Sequence, residues 1–309
     1  DTEGQAYSEK NGGEKQKSDT QSGDADDDFS DGNDEEKTIN NSQLIATYAS
    51  SSGKLVTGDR IDYPAAFNAG GFTNWFWVNG HIAYCLEADI DTPSSGTYPV
   101  SVSNNEFLQK VLYYGYGGPG DITGSVLSGK TDAEKYVYTH IAASYANLGN
   151  SDRAFYGCNR DGLKSAGVLS YIEMLKGQRT PPLADLSLST ENPKVTIDGK
   201  VRKTENITLK GDGRNQVTIT VPDNVTVYNV TKNTEKTGGD LIISGGDSFY
   251  LTTDLDNKGT YTSNALTGSV TGDWKVLVVR TTTSSKRAQD IGVFEAGETG
   301  DSVSFNVDW

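Results

Sequence analysis

The chain has 309 residues, with 42 Asp and Glu against 27 Lys and Arg and a net charge of −15. That length accommodates two domains, and the acidic balance excludes nucleic acid and anionic lipid as partners, since both are gripped by clustered Lys and Arg. No run of eighteen apolar residues occurs and the first residues lack a basic-then-apolar signal pattern, so no membrane insertion is expected of this chain and any export or anchoring signal is expected outside it.

Residues 1 to 40 hold thirteen Asp or Glu against four Lys, nine of the fifteen net negative charges, and almost no large apolar residue. Such a segment cannot bury enough surface to offset its ordering entropy and reads as a disordered acidic stalk. From residue 41 the chain becomes globular. "WFWVNGHIAYCLE" reads as a hairpin, with Trp75 and Trp77 alternating, Asn79-Gly80 as the turn and Cys85 on the returning strand. Asn104 and Asn105 can cap a helix whose Phe107, Leu108, Val111 and Leu112 form one stripe, ended by the glycine-rich run from Gly115 to Gly120. Thr131 and Glu134 make a capping box opening the helix of His140, with Val137, Ile141, Tyr145 and Leu148 on its core face. A third helix fits residues 162 to 176.

After Thr180-Pro181-Pro182 the helical period stops. Short alternating runs follow, among them Val217/Ile219/Val221, Phe249/Leu251, Val276/Val278 and Val303/Phe305/Val307, spaced as in an all-β, Ig-like sandwich. The expected organisation is a stalk over 1 to 40, an α+β domain over 41 to 181 and a β-sandwich over 182 to 309, each folded half stable alone. Lys194 and Asn306, an obvious pair for an internal cross-link by strand order, fall on the outward phase of their strands.

The segments "HIAYCLEADIDTPSSGTYP", "LQKVLYYGYGGPGD" and "TDAEKYVYTHIAASYA" resemble the thioester domain found at the tips of Gram-positive surface adhesins. The resemblance implies a cysteine in a Tyr-Cys-Leu segment, here Cys85, joined to a glutamine in a Thr-Gln helix to give an internal thioester that acylates a host amine. That glutamine position reads His140, and an imidazole has no carboxamide carbon. The other carboxamides weighed, Gln109, Gln178 and Asn147, lie off the core stripe, beside the domain boundary and beyond His140. "RAQDIG" and "GDWKVLVVRT" look like family-type sandwich sequence with no assigned chemistry. The expectation is therefore a degenerate thioester site, Cys85 and His140, without a thioester.

The resemblance implies a cell-wall-attached surface adhesin fragment that binds a host extracellular protein or glycoprotein, fibrinogen-, immunoglobulin- or mucin-like, without a cofactor and not as an enzyme. Non-covalent capture would fall to Tyr113, Tyr114, Tyr116, Gly117 and Gly118, where aromatic anchors meet a glycine loop. Two alternatives stand beside it: a covalent adhesin using Cys85 with another acyl donor, and a Cys85/His140 hydrolase or transpeptidase. Cys158 leaves a bridge to Cys85 open. A metal is argued against, because His81 and Cys85 sit four residues apart on a strand, about 13 Å apart.

Overall fold

The structure, a computed structural model, describes residues 52–67, 70–271, 275–295 and 299–309, and the expected acidic stalk lies outside them. Strand β1 (Ser52–Asp62) leads to the hairpin of β2 (Phe72–Val78) and β3 (His81–Cys85), joined by Asn79 at φ 50° and Gly80 at φ 81°. Both turn residues have positive φ, the type I′ geometry an Asn-Gly pair favours. After β4 (Gly96–Ser103) come helices α1 (Glu106–Tyr114), α2 (Thr123–Val126), α3 (Asp132–Asn147), α4 (Arg160–Ser165) and α5 (Val168–Lys176). The Asn105 cap and the Thr131/Glu134 capping box form as the sequence predicts. The expected third helix is two, α4 and α5, because the chain turns through Gly167 at φ 82°.

The second lobe begins with β5 (Ser187–Leu188), β6 (Val195–Asp198), β7 (Val201–Thr204), β8 (Ile207–Lys210), β9 (Gln216–Asn229), β10 (Thr234–Ser244) and β11 (Ser248–Asp254), which form one seven-stranded sheet. β12 (Thr260–Thr262) and β13 (Leu266–Thr271) follow. The chain then leaves this lobe. β14 (Lys275–Val279) and β15 (Ile291–Glu295) complete a closed barrel in the order β1-β2-β3-β15-β14-β4. Only β16 (Gly300–Val303) and β17 (Asn306–Asp308) return, pairing with β13 and β12. Leu266, Phe305 and Val307 from these two ribbons pack with Ile219, Val227 and Leu251 of the large sheet, making the sandwich core.

Residues 275 to 295 thus correct the expected division at 182. Val276 and Val278 do not belong to the sandwich. They face the helices of the first lobe, while Leu277 and Val279 fill the barrel. Alternation alone could not reveal this, since a hairpin buried on both faces reads the same whichever sheet takes it. Both lobes lie within one compact unit spanning Gln43–Trp309.

They are clasped by Arg214. Its guanidinium donates to the Asp212 carboxylate, to Tyr114 Oη at 3.0 Å and to the Thr180 carbonyl at 2.8 Å. Asn306 is exposed between the buried Phe305 and Val307, as its phase requires; Lys194 is exposed too, but Ile197, two residues beyond Val195 on the expected inward phase, is itself 66% exposed, so β6 buries neither face.

Candidate functional site

Cys85 ends β3 with its side chain inside the barrel, 1% exposed, among Ala83, Ile291 and Val293. Helix α3 lies along this stretch because one of its faces carries a ladder of polar groups. Tyr136 Oη donates to the Ala83 carbonyl (2.6 Å), Ser144 Oγ accepts from the Ala88 N–H (3.1 Å) and Asn147 Nδ2 donates to the Leu86 carbonyl (3.2 Å). His140 occupies the same face, one turn from Tyr136 and from Ser144, which sets its ring beside the Cys85 carbonyl. The sequence predicts His140 at the flank of the core face. It is 1% exposed, because α3 is buried on nearly every side.

The His140 Nε2 is 2.7 Å from Tyr63 Oη, while Nδ1 is buried without a hydrogen-bond partner. Burial pushes the imidazole down from 6.5 to about 4, and the nearby Cys85 carbonyl opposes this only weakly, so the ring is neutral at physiological pH. The Cys85 thiol is pushed far up by burial and, to a lesser degree, by Glu87, Asp89 and Asp290, against a Glu87 N–H that donates to Sγ at 3.4 Å. A thiolate–imidazolium pair needs both shifts reversed, so the arrangement is not that of a cysteine hydrolase at rest. Cys158 is half-buried, its thiol pushed up by burial to about 12, and neither cysteine is in a disulfide. Among the described residues, no cluster of three or more His, Cys, Asp or Glu is arranged to hold a metal.

The carboxamide that sequence reasoning missed is Gln289. Strand β15 pairs with β3 so that Ile291 lies opposite Cys85, and the Leu86 N–H donates to the Asp290 carbonyl at 2.9 Å. Ile291 and Val293 point into the barrel; Gln289 lies just ahead of β15, two residues before Ile291, and is 7% exposed. A backbone separation of about 7–8 Å, that of diagonal neighbours in an antiparallel pair, is one that a glutamine and a cysteine side chain can span. Gln289 is also held on every side. Its N–H donates to the Asp91 carbonyl (2.9 Å), its carbonyl accepts from Thr281 Oγ1 (2.7 Å) and its Nε2 donates to Thr92 Oγ1 (3.3 Å).

His140 and Gln289 line one cavity of about 540 Å3, together with Gly71, Ala88, Asp89 and Gly157. Its wall is tight where two backbones meet: a Cβ on Gly71 would come within 2.6 Å of both the Gly157 carbonyl and the Tyr63 ring. The signal for Gln289 was available, a glutamine two residues before an inward-facing aliphatic run. It pointed nowhere until the barrel placed residue 291 beside residue 85.

The tyrosines expected at the ligand rim divide. Tyr114 is buried and tied to Arg214. Tyr113 is half-buried against Tyr114 and Phe294, and Tyr116 against Trp75. Gly117 and Gly118 line a recess of about 160 Å3 with His81, Ile82, Pro119 and Phe294.

A closed barrel with its cysteine at the mouth, an adjoining helical layer and a β-sandwich define a thioester-type domain with a companion sandwich. The family model described as "Thioester domain" matches residues 52–182, and that described as "TED associated beta sandwich domain" matches residues 187–270; the chain therefore carries a domain of the thioester family, known from surface adhesins, followed by its associated sandwich. Among solved structures it is similar to the Bacillus anthracis TIE protein, at 17% identity and a TM-score of 0.52, over 84% of this chain and 49% of that one. It thus spans about half the length of that protein. The thioester domain of the Enterococcus faecium TIE86 protein matches at 16% identity and a TM-score of 0.40, over 84% of this chain and 96% of that one. No curated protein sequence matches the chain.

Proposed function

We propose that this chain is a covalent adhesin module in which Cys85 Sγ and the Gln289 side-chain carbon form an internal thioester that acylates a primary amine of a host extracellular protein. Of the readings open to the sequence, this is the one with Cys85 and another acyl donor. The observation that carries it is the register of Ile291 opposite Cys85, which puts Gln289 two residues along the chain from the strand partner of Cys85, on the wall of a cavity that His140 also lines. Thioester formation needs a thiol and a carboxamide held together away from bulk water, so that ammonia leaves and hydrolysis stays slow. Cys85 is fully buried and Gln289 is 7% exposed. The bond acts once per molecule, which makes the chain an acyl donor and not an enzyme.

Intact mass tests the proposal. The parent should be lighter by one ammonia than its sequence requires, the deficit should disappear in Cys85→Ala and in Gln289→Ala, and methylamine should convert it to an adduct on the Gln289 peptide. A parent of full mass, or an adduct on any other residue, would overturn it.

A second reading, reversible host-protein binding, is favoured by the 160 Å3 recess at Gly117 and Gly118 with Tyr113 and Tyr116 near its edge. Tyr114 has no part in it. Host-protein capture that persists in Cys85→Ala and falls in Tyr113→Ala would mark that route.

A further inference from the structure

We infer that His140 carries the proton in acyl transfer, accepting it from the incoming amine at Nδ1 and delivering it to Cys85 Sγ as the thioester opens. This rests on the Cys85–Gln289 reading above. The amine nitrogen attacks the Gln289 side-chain carbon, a C–N bond forms, the C–S bond breaks and its electron pair stays on sulfur. The proton shed by nitrogen reaches Sγ through the imidazole. The products are a secondary amide at Gln289 and a neutral Cys85 thiol, with no proton exchanged with solvent.

Three features of the site lead there. First, the Nδ1 atom is one of two buried side-chain polar atoms without a hydrogen-bond partner among the described residues, a cost that packing does not explain and that a transient partner would. Second, the ring lines the same cavity as Gln289, so an amine that reaches the acyl carbon meets the imidazole. Third, the leaving sulfur sits in an apolar barrel, where departure as an unprotonated thiolate is costly; burial raises the thiol's pKa for the same reason.

The surroundings suit a proton carrier. In the tautomer with the proton on Nε2, shared with Tyr63 Oη at 2.7 Å, the Nδ1 lone pair is free to accept, and the Cys85 carbonyl beside the ring favours the cation when it forms. Run in reverse with ammonia as the amine, the same transfer serves the closing of the bond between Cys85 and Gln289.

The test follows methylamine aminolysis by intact mass in the parent, His140→Ala and His140→Asn. Loss of a general acid–base group should slow the reaction roughly 100-fold or more, and imidazole in solution should restore much of the rate in His140→Ala by occupying the vacated space on the cavity wall. Folded variants reacting within about threefold of the parent would overturn the inference, because proton transfer of this kind is worth more than that. Should His140→Ala fold without acquiring the ammonia deficit, recovery of the deficit in imidazole supports the carrier role and its failure overturns it. Should alanine prevent folding, His140→Asn decides: slow aminolysis supports the role, a parent-like rate refutes it. A parent without the deficit defeats the thioester reading itself, whereas a parent with the deficit and unchanged variants defeats the proton carrier alone.

Discussion

Cutting the chain at the sequence boundary should produce a sandwich that carries an unpartnered apolar hairpin and self-associates. A fragment from residue 184 to 309 retains β14 and β15 but loses β3 and β4, their partners in the barrel, and the helices that cover them. Six side chains would be stranded: Val276, Leu277, Val278, Val279, Ile291 and Val293, each at most 4% exposed in the whole chain. At a lower bound of about 1.5 kcal/mol for each buried aliphatic residue, the loss is about 9 kcal/mol, or about 6 after allowance for residual burial in the unfolded chain. That burial belongs to the first lobe and leaves the sandwich's own core of Ile219, Val227, Leu251 and Phe305 intact, so its loss leaves an exposed apolar hairpin that drives association. Replacing residues 272–298 by a short Gly-Ser linker should rescue the fragment, because Thr271 and Gly300 are direct partners across β13 and β16. Calorimetry and sizing of both fragments make the comparison. A monomeric 184–309 fragment that melts cooperatively near the parent temperature would refute the reasoning.

Other expectations follow from individual contacts. Arg214→Ala removes the guanidinium that holds the Asp212 carboxyl well below the usual carboxylate range, and should cost about 2 kcal/mol, less than a fully buried pair because Arg214 is 28% exposed; urea unfolding measures it. His140 has a folded pKa of about 4 against an ordinary 6.5, so its contribution is complete above pH 6.5 and is lost as pH falls towards 4, a loss of about 3 kcal/mol that should be absent from the pH–stability curve of His140→Asn. In the sandwich, the Asp247 carboxylate accepts from both Lys232 Nζ and Asn229 Nδ2 at 2.8 Å. Burial alone would raise its pKa, but these donors and the Ser244 N–H lower it. An ionised acid beside a half-exposed lysine does not make an amide, and peptide mapping of the sandwich should show neither the water loss of a Lys232–Asp247 bond nor the ammonia loss of a Lys232–Asn229 bond.

Local signals were the legible part of this protein. The Asn79-Gly80 turn, the Asn105 and Thr131 caps and the outward phase of Asn306 depend on a few neighbouring residues, and each is where the sequence predicts. Gly167 broke a helix whose apolar period ran straight through it, because periodicity does not register a left-handed residue. Half of the candidate site was legible too, since Cys85 and His140 sit in segments with their own motif. The other half was hidden by topology. Ile291 lies opposite Cys85, with Gln289 two residues before it, only because the chain, after building most of the sandwich, returns to finish the barrel, and no local pattern encodes a return across so many residues.

That return decides how the module would bear a pull. If the proposed acyl transfer joins Gln289 to a partner's amine, tension enters the chain at residue 289. If it is taken off on the C-terminal side, the covalent line runs along β15, across to β16 and β17, and out at residue 309. The helices, β1 to β4 and most of the sandwich hang beside that line and are not in series with it. Even if β15 to β17 were stripped from their neighbours, the added length would be about 70 Å, the extended span of some twenty residues. Stripping β15 would open the barrel between β3 and β14, while β1 to β4 and the large sheet stay out of the line of tension.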